Sequence, residues 1–226
     1  MTIQPKNPNL FATIYNRRSV RRYKSDPIPE AVLHQVMEAA RWSPSGGNGQ
    51  GYCFGIITDA EKRLALAKAA GDQLWIAEAP VVIACCAKLE SPWYGEEFGR
   101  RVNVLRWGPE LMQWLDTASD PWSAALLMEN ATPLIPGEHI QLAAAAYGIG
   151  TCWIGYLDIK QAGEVLGLPD DWRCYFIMPM GYPDEEKRRP RKPLEEITFS
   201  DQWGEKWLPA GQHPDLAQLV DVRENE

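Results

Sequence analysis

Four short stretches carry the residue types from which a site for a flat, anionic ligand can be built. Arg17-Arg18-Ser19-Val20-Arg21 supplies guanidinium forks and a hydroxyl. That donor set suits a phosphate carrying about −1.5 to −2 charges. Ser43-Pro44-Ser45-Gly46-Gly47-Asn48 combines small side chains with backbone N–H groups that can lie against a planar ring. Thr151–Gly155 adds extended backbone able to hydrogen-bond a ring edge. Arg189 and Arg191, two apart, point the same way where their segment is extended. Together they describe a ligand with phosphate at one end and a polar ring at the other.

Other chemistries find little support. Only His34, His139 and His213 are present, the first two on expected helices, so a Ser-His-Asp site has few candidates. No phosphate-binding Gly-x-x-x-x-Gly-Lys-Ser/Thr loop occurs. Gly148-Ile149-Gly150 with Gly155 lacks the dinucleotide-binding spacing and precedes a strand instead of opening a helix. The five cysteines, at 53, 85, 86, 152 and 174, contain no Cys-x-x-Cys pair. Neither a disulfide framework nor a structural metal site is expected.

The formal net charge of −7 speaks against a nucleic-acid binder. The charge is uneven, however. Residues 1–25 hold Lys6, Arg17, Arg18, Arg21, Arg22 and Lys24 and no acid, and a second basic run spans Lys187–Lys192. These islands are either two solvated patches or two halves of one anion site. The N-terminal residues lack the apolar core of a signal peptide, and no run of membrane-spanning length follows. A reduced, cytoplasmic protein is expected.

The elements that must position these stretches are legible in outline. A short helix over Leu10–Tyr15 leads into the basic segment. Pro29 opens a second helix with Val32, Leu33, Val36, Met37 and Ala40 at helical spacing. Tyr52–Ile57 reads as a strand, and Thr58-Asp59-Ala60-Glu61 starts a helix that ends near Gly71. Val81–Ala87 has the continuous apolar character of a strand buried on both faces. An alanine-rich helix is expected over Glu138–Tyr147, then strand or extended loop over Thr151–Leu157. Asp158 caps a helix to Gly167, and Arg173–Met178 forms another strand. Residues 88–137 are irregular and Trp-rich, with one helix expected near Ser123–Ala131. Helices and strands mix without strict βαβ alternation, so an α+β layered domain fits best.

The ordered set Arg17–Arg21, Ser43-Pro44-Ser45 with Asn48 and Gln50, Gly148–Gly155, and Gly181-Tyr182-Pro183 with Arg189–Glu196 resembles the FMN-dependent nitroreductase family. The resemblance covers Arg17 to Glu196, most of the chain. It implies one domain over residues 1–226 with a three-layer α+β fold, a central, largely antiparallel sheet wrapped by helices. It also implies an intertwined homodimer with FMN at the interface and exchange of an extended C-terminal arm, residues 198–226. Carried over, Arg17, Arg18, Ser19 and Arg21 hold the phosphate and the pyrimidine side of the ring. Pro44, Ser45, Gly46 and Asn48 come from the other subunit. Cys152, Trp153, Ile154 and Gly155 line the ring, with a backbone N–H near flavin N5. Arg189 and Arg191 close on the phosphate.

The resemblance implies no catalytic side chain, because the flavin carries the chemistry. NAD(P)H would be the electron donor, with nitroaromatics or quinones as small-molecule acceptors reduced by ping-pong hydride transfer. Residues 88–137 fall where the family varies its substrate lid, and Trp93 and Trp107 are the expected lid aromatics. The chain has Gly51-Tyr52 where the family often has Pro-Trp. A flavin-dependent dehalogenase, a flavin-consuming relative, or a non-catalytic FMN carrier or sensor are the alternative readings on this scaffold.

Overall fold

The computed structural model describes residues 4–6, 9–88, 105, 108–110, 113, 132–185 and 189–207. Trp93, Trp107, most of the 88–137 lid, the helix expected near 123–131 and the end of the arm lie outside the described residues. Strands β1 (Tyr52–Ile57), β2 (Val81–Lys88), β3 (Gly150–Thr151) and β4 (Trp172–Gly181) form one sheet in the order β1-β2-β4-β3. Every pairing is antiparallel. Its central strand β2 is buried along all but its last residue, as a continuous apolar run requires.

Alternation along β2 feeds two cores. Val81, Ile83 and Cys85 face helices α2 (Glu30–Arg41) and α4 (Leu134–Ala146), meeting Val32, Val36, Ile140 and Ala144. Val82, Ala84 and Cys86 face α3 (Ala60–Ala69) and α5 (Ile159–Leu166), meeting Leu66, Ala67 and Ala162. This is helix on sheet on helix, the expected three-layer α+β arrangement. Each fully buried Val, Ile or Leu on these faces stabilises by about 1.5–3 kcal/mol. A register shift in β4 opposite Cys85 and Cys86 inserts Tyr175 as a bulge. As a result Cys174 and Ile177, three apart, pack in the same core.

Most expected elements appear with close boundaries. α1 (Leu10–Asn16) starts at Asn9, whose side chain accepts the Ala12 N–H. Asp59 and Asp158 cap α3 and α5 in the same way. One expectation needs correction. α4 starts four residues earlier than the alanine-rich run, because Pro136 lies in its first turn, where no N–H is needed. Of the two readings for Thr151–Leu157, the structure has mainly the loop, with the end of β3 and a bridge from Ile154 to Ile177.

The described part of the C-terminal segment contains two turns. A single helical turn spans Leu194–Glu196, and a tight turn follows from Ser200 to Glu205. Asp201 and Gly204 take positive φ there, which reverses the chain.

Candidate functional site

The basic segment is fixed by what lies on either side of each arginine. α1 ends at Asn16 and the chain becomes extended at Arg17. Ser19 then bridges Thr151 in parallel, and the Val20 N–H donates to the Thr151 carbonyl at 2.9 Å. That crossing is close. A Cβ on Gly150 would lie 2.5 Å from Val20 Cγ2, so only glycine lets the two backbones meet. Buried Val20 and Tyr23 anchor the segment, and the Tyr23 hydroxyl donates to the Val20 carbonyl. Burial pushes the Tyr23 phenol far above its ordinary range, so it stays a neutral donor.

The segment after β4 comes back along this same edge. The Lys24 N–H donates to the Tyr182 carbonyl and the Asp184 N–H to the Arg22 carbonyl, each at 2.9 Å. Arg18 Nη2 donates to the Glu185 carbonyl at 2.8 Å, and the Arg21 N–H donates to Glu185 Oε1 at 2.5 Å. The basic segment and the chain up to Glu185 are thereby drawn to one edge, and Arg191 lines a cavity with Arg17 there.

A cavity of about 560 Å³ opens there, lined by Ile14, Tyr15, Arg17, Glu138, Leu142 and Arg191. That volume lies within the usual range for small-molecule sites. A smaller one of about 190 Å³ adjoins it through Arg17 and is lined by Arg18, Val20, Gly150 and Thr151 among others. Arg17 is loosely held. Its Nη1 lies 3.5 Å from Gln141 Oε1, and its Nε lies 3.8 Å from Glu138 Oε1. Both contacts are long, leaving the guanidinium with capacity for an anion. Gln141 is 1% exposed, and its Nε2 has no partner among the described residues. Arg18 Nε is likewise buried and unpartnered there. A buried donor without a partner costs about 1–3 kcal/mol. Arg18 lines the smaller cavity, whereas Gln141 lines neither.

The expected site residues separate into groups. Arg17, Arg18 and Arg191 line the two cavities. Arg21 is exposed and lies over the Trp75 ring at 6.0 Å, and Arg189 is exposed but lines neither cavity. Ser19 contacts Cys152. Burial raises the Cys152 thiol pKa, while Arg21, Ser19 and Arg17 pull it back. Cys152 and Ile154 direct their side chains into the α3–α5 core, so any ligand contact from them is through backbone. The Ile154 N–H already donates to the Ile177 carbonyl at 3.0 Å, and Gly155 lies exposed beyond it.

Trp153 points the other way, edge-on to Phe176 at 5.4 Å, with Nε1 donating to Glu138 Oε2 at 3.3 Å. Its ring rests on α4, where a Cβ on Gly137 would lie 2.3 Å from Trp153 Cη2. Pro44, Ser45, Gly46 and Asn48 line neither cavity and lie in a loop where Ser45 Oγ accepts the Gln50 N–H. Gly47, Asn48 and Gln50 all take positive φ in that loop. Glu138, Gln141 and Glu185 were missed. The only sequence signal for Gln141 was a polar side chain within an otherwise alanine-rich helix.

Residues 14–182 match the Nitroreductase family, three quarters of the chain. The chain belongs to that family. A relative named NADH dehydrogenase from Thermus thermophilus is 31% identical over 192 residues, covering 81% of this chain and 91% of its own. FMN reductase [NAD(P)H] from Bacillus subtilis is 26% identical, covering 85% of this chain and 73% of its own. The solved structure of nitroreductase A from Vibrio parahaemolyticus superposes with a TM-score of 0.66 at 27% identity. It covers 86% of this chain and 76% of that one. The nitroreductase match ends at Tyr182, so Glu185 and Arg191 lie beyond it. Among the described residues no helix is long and apolar enough to cross a membrane.

Proposed function

We propose that this chain is an FMN-dependent oxidoreductase that takes electrons from NAD(P)H and passes them to small acceptors such as nitroaromatics or quinones. The observation that carries the reading is the cavity shared by Arg17 and Arg191, 174 residues apart in sequence. The residues present fit a phosphate-bearing cofactor. Arg17, Arg18 and Arg191 would hold the anionic end through charge-assisted hydrogen bonds. The unpartnered Arg18 Nε, on the wall of the smaller cavity, would add to the donor set. Ile14, Tyr15 and Leu142 give the cavity an apolar wall.

FMN, when bound, supplies hydride and electron transfer, which explains why no nucleophile or metal is needed. Positive charge from the arginines favours the electron-rich state of the ring. Glu138 lies between Arg17 and Trp153, accepting the Trp153 Nε1–H and facing the Arg17 guanidinium at longer range. Donor and acceptor would use one ring face in turn, with residues 88–137 and their Trp93 and Trp107 as the lid that chooses the acceptor.

A homodimer completes this reading. α1 exposes Leu10, Phe11, Ile14 and Tyr15, and α4 exposes Leu134 and Ile135. Phe199, Trp203 and Trp207 in the C-terminal arm are exposed as well. Apolar surface of this extent favours a second copy. The Pro44–Asn48 loop, which lines neither cavity, would then serve the partner's site.

The test is the colour and reactivity of the purified protein. A yellow preparation holding one FMN per chain and bleaching anaerobically under NADH or NADPH is expected. Failure to bind FMN overturns the reading, and yellow protein that never bleaches converts it to a carrier.

A further inference from the structure

Three cysteines occupy facing positions on three adjacent strands. Cys53 on β1 stands opposite Cys86 on β2, and Cys86 stands opposite Cys174 on β4. All three side chains lie on the α3–α5 side of the sheet, where alternation and the Tyr175 bulge bring them into line. Cys53 hydrogen-bonds Cys86, and Cys86 hydrogen-bonds Cys174. Cys53 is exposed, whereas Cys86 and Cys174 are buried. The row thus runs from solvent into the core. Cys85, the sequence neighbour of Cys86, faces the opposite core.

Residues opposed across an antiparallel ladder have Cα atoms about 4.5–5.5 Å apart. A disulfide spans Cα separations of about 4.4–6.8 Å, so the register of Cys53 and Cys86 puts the pair in the range a disulfide needs. We propose that Cys53 and Cys86 form a thiol-oxidation site in which a low-molecular-weight disulfide converts the pair to a cross-strand disulfide.

The exchange balances in two steps. The Cys53 thiolate attacks one sulfur of the small disulfide, whose S–S bond breaks and releases one thiol. The Cys86 thiolate then attacks the Cys53 sulfur, forming the protein S–S bond and releasing the second thiol. Two cysteine thiols are oxidised and one small disulfide is reduced to two thiols. The contact with Cys86, with burial, raises the Cys53 thiol pKa, while the contact with Cys174, with burial, raises that of Cys86 against a lowering by Cys53, so the exchange is slow and is followed at mildly alkaline pH. The site stands apart from the arginine cavity, and the experiment reads thiols alone, so its outcome is independent of flavin binding.

The native, full-length protein is incubated with oxidised glutathione, then its free thiols are counted and its peptides mapped by mass spectrometry. Two thiols should be lost per chain, with one peptide pair joined through Cys53 and Cys86 and no glutathione retained. Cys86→Ser should instead retain one glutathione on Cys53. Cys53→Ser should lose no thiol from Cys86 or Cys174, because the solvent-exposed attacker is gone. Cys85→Ser should behave as the unaltered chain. Stable glutathione on Cys53 with Cys86 still free, or a Cys53–Cys53 link between chains, would overturn the proposal.

Discussion

The two helical layers cover the same sheet but differ in how their ends and buried groups are satisfied. In the α3–α5 layer, Asp59 accepts the Lys62 N–H at 2.8 Å and Asp158 accepts the Gln161 N–H at 3.0 Å. Gly167 closes α5 in the left-handed conformation, and the buried side chains of Leu66, Ala67 and Ala162 are apolar. In the α2–α4 layer both helices start at prolines, Pro29 and Pro133, which make no side-chain cap. That layer buries Gln141, leaves its amide nitrogen unpartnered among the described residues, and borders the larger cavity. The first layer caps its own helices, although α3 also leaves Arg63 Nε buried without a partner among the described residues. The other borders the larger cavity, and in the proposed function a ligand and a second copy would complete it.

The contrast can be broken most severely at Leu66, which is fully buried in α3. Leu66→Ala should cost about 2–5 kcal/mol in urea unfolding, since a core cavity adds to the lost burial. FMN affinity of the folded fraction should not change. A matching loss of affinity would mean that the layers are not separable.

Arg17→Ala should do the reverse. Losing a charge-assisted hydrogen bond worth about 1.5–3 kcal/mol weakens FMN by roughly 10- to 100-fold. Riboflavin, without the phosphate, should respond far less in the same fluorescence titration, and the unfolding midpoint should hold. Arg191→Ala should follow Arg17→Ala, while Arg189→Ala has a smaller effect because Arg189 lines neither cavity. Equal losses at 189 and 191 would move the phosphate away from the larger cavity.

Gly137→Ala tests the wall between the layer and the sheet. The new methyl would overlap the Trp153 ring, so a cost of about 1–3 kcal/mol is expected. The ring should swing off Glu138, visible as a shift in tryptophan emission. Unchanged emission and stability would show that Trp153 has room the structure does not give it.

The smallest effect is expected at the caps. Asp158→Ala should cost about 0.5–2 kcal/mol in thermal or urea unfolding. FMN retention should be untouched, since α5 borders neither cavity. Lost flavin without lost stability would contradict the division of labour between the layers.

Much of this was legible before any coordinates. The caps at Asp59 and Asp158, the buried run of β2 and the strand at Tyr52–Ile57 follow from interactions within a few residues. The ordered arginine, serine-proline and glycine motifs pointed to the family for the same reason, since each is a local stretch. What the sequence could not separate was Arg189 from Arg191, or Arg17 from Arg21. That choice depends on the pairing of residues 182–185 with 22–24 and on the close crossing at Gly150.

Glu138, Gln141 and Glu185 became visible only when α4 and the returning strap were set against the basic segment. The line of Cys53, Cys86 and Cys174 has the same origin. Spacing in the chain reveals neither which strands are neighbours nor that a bulge at Tyr175 turns Cys174 onto the shared face. Local hydrogen bonds and side-chain periodicity were determined by sequence alone. Contacts between residues more than a hundred positions apart were decided by strand order and register, which only the packed sheet defines.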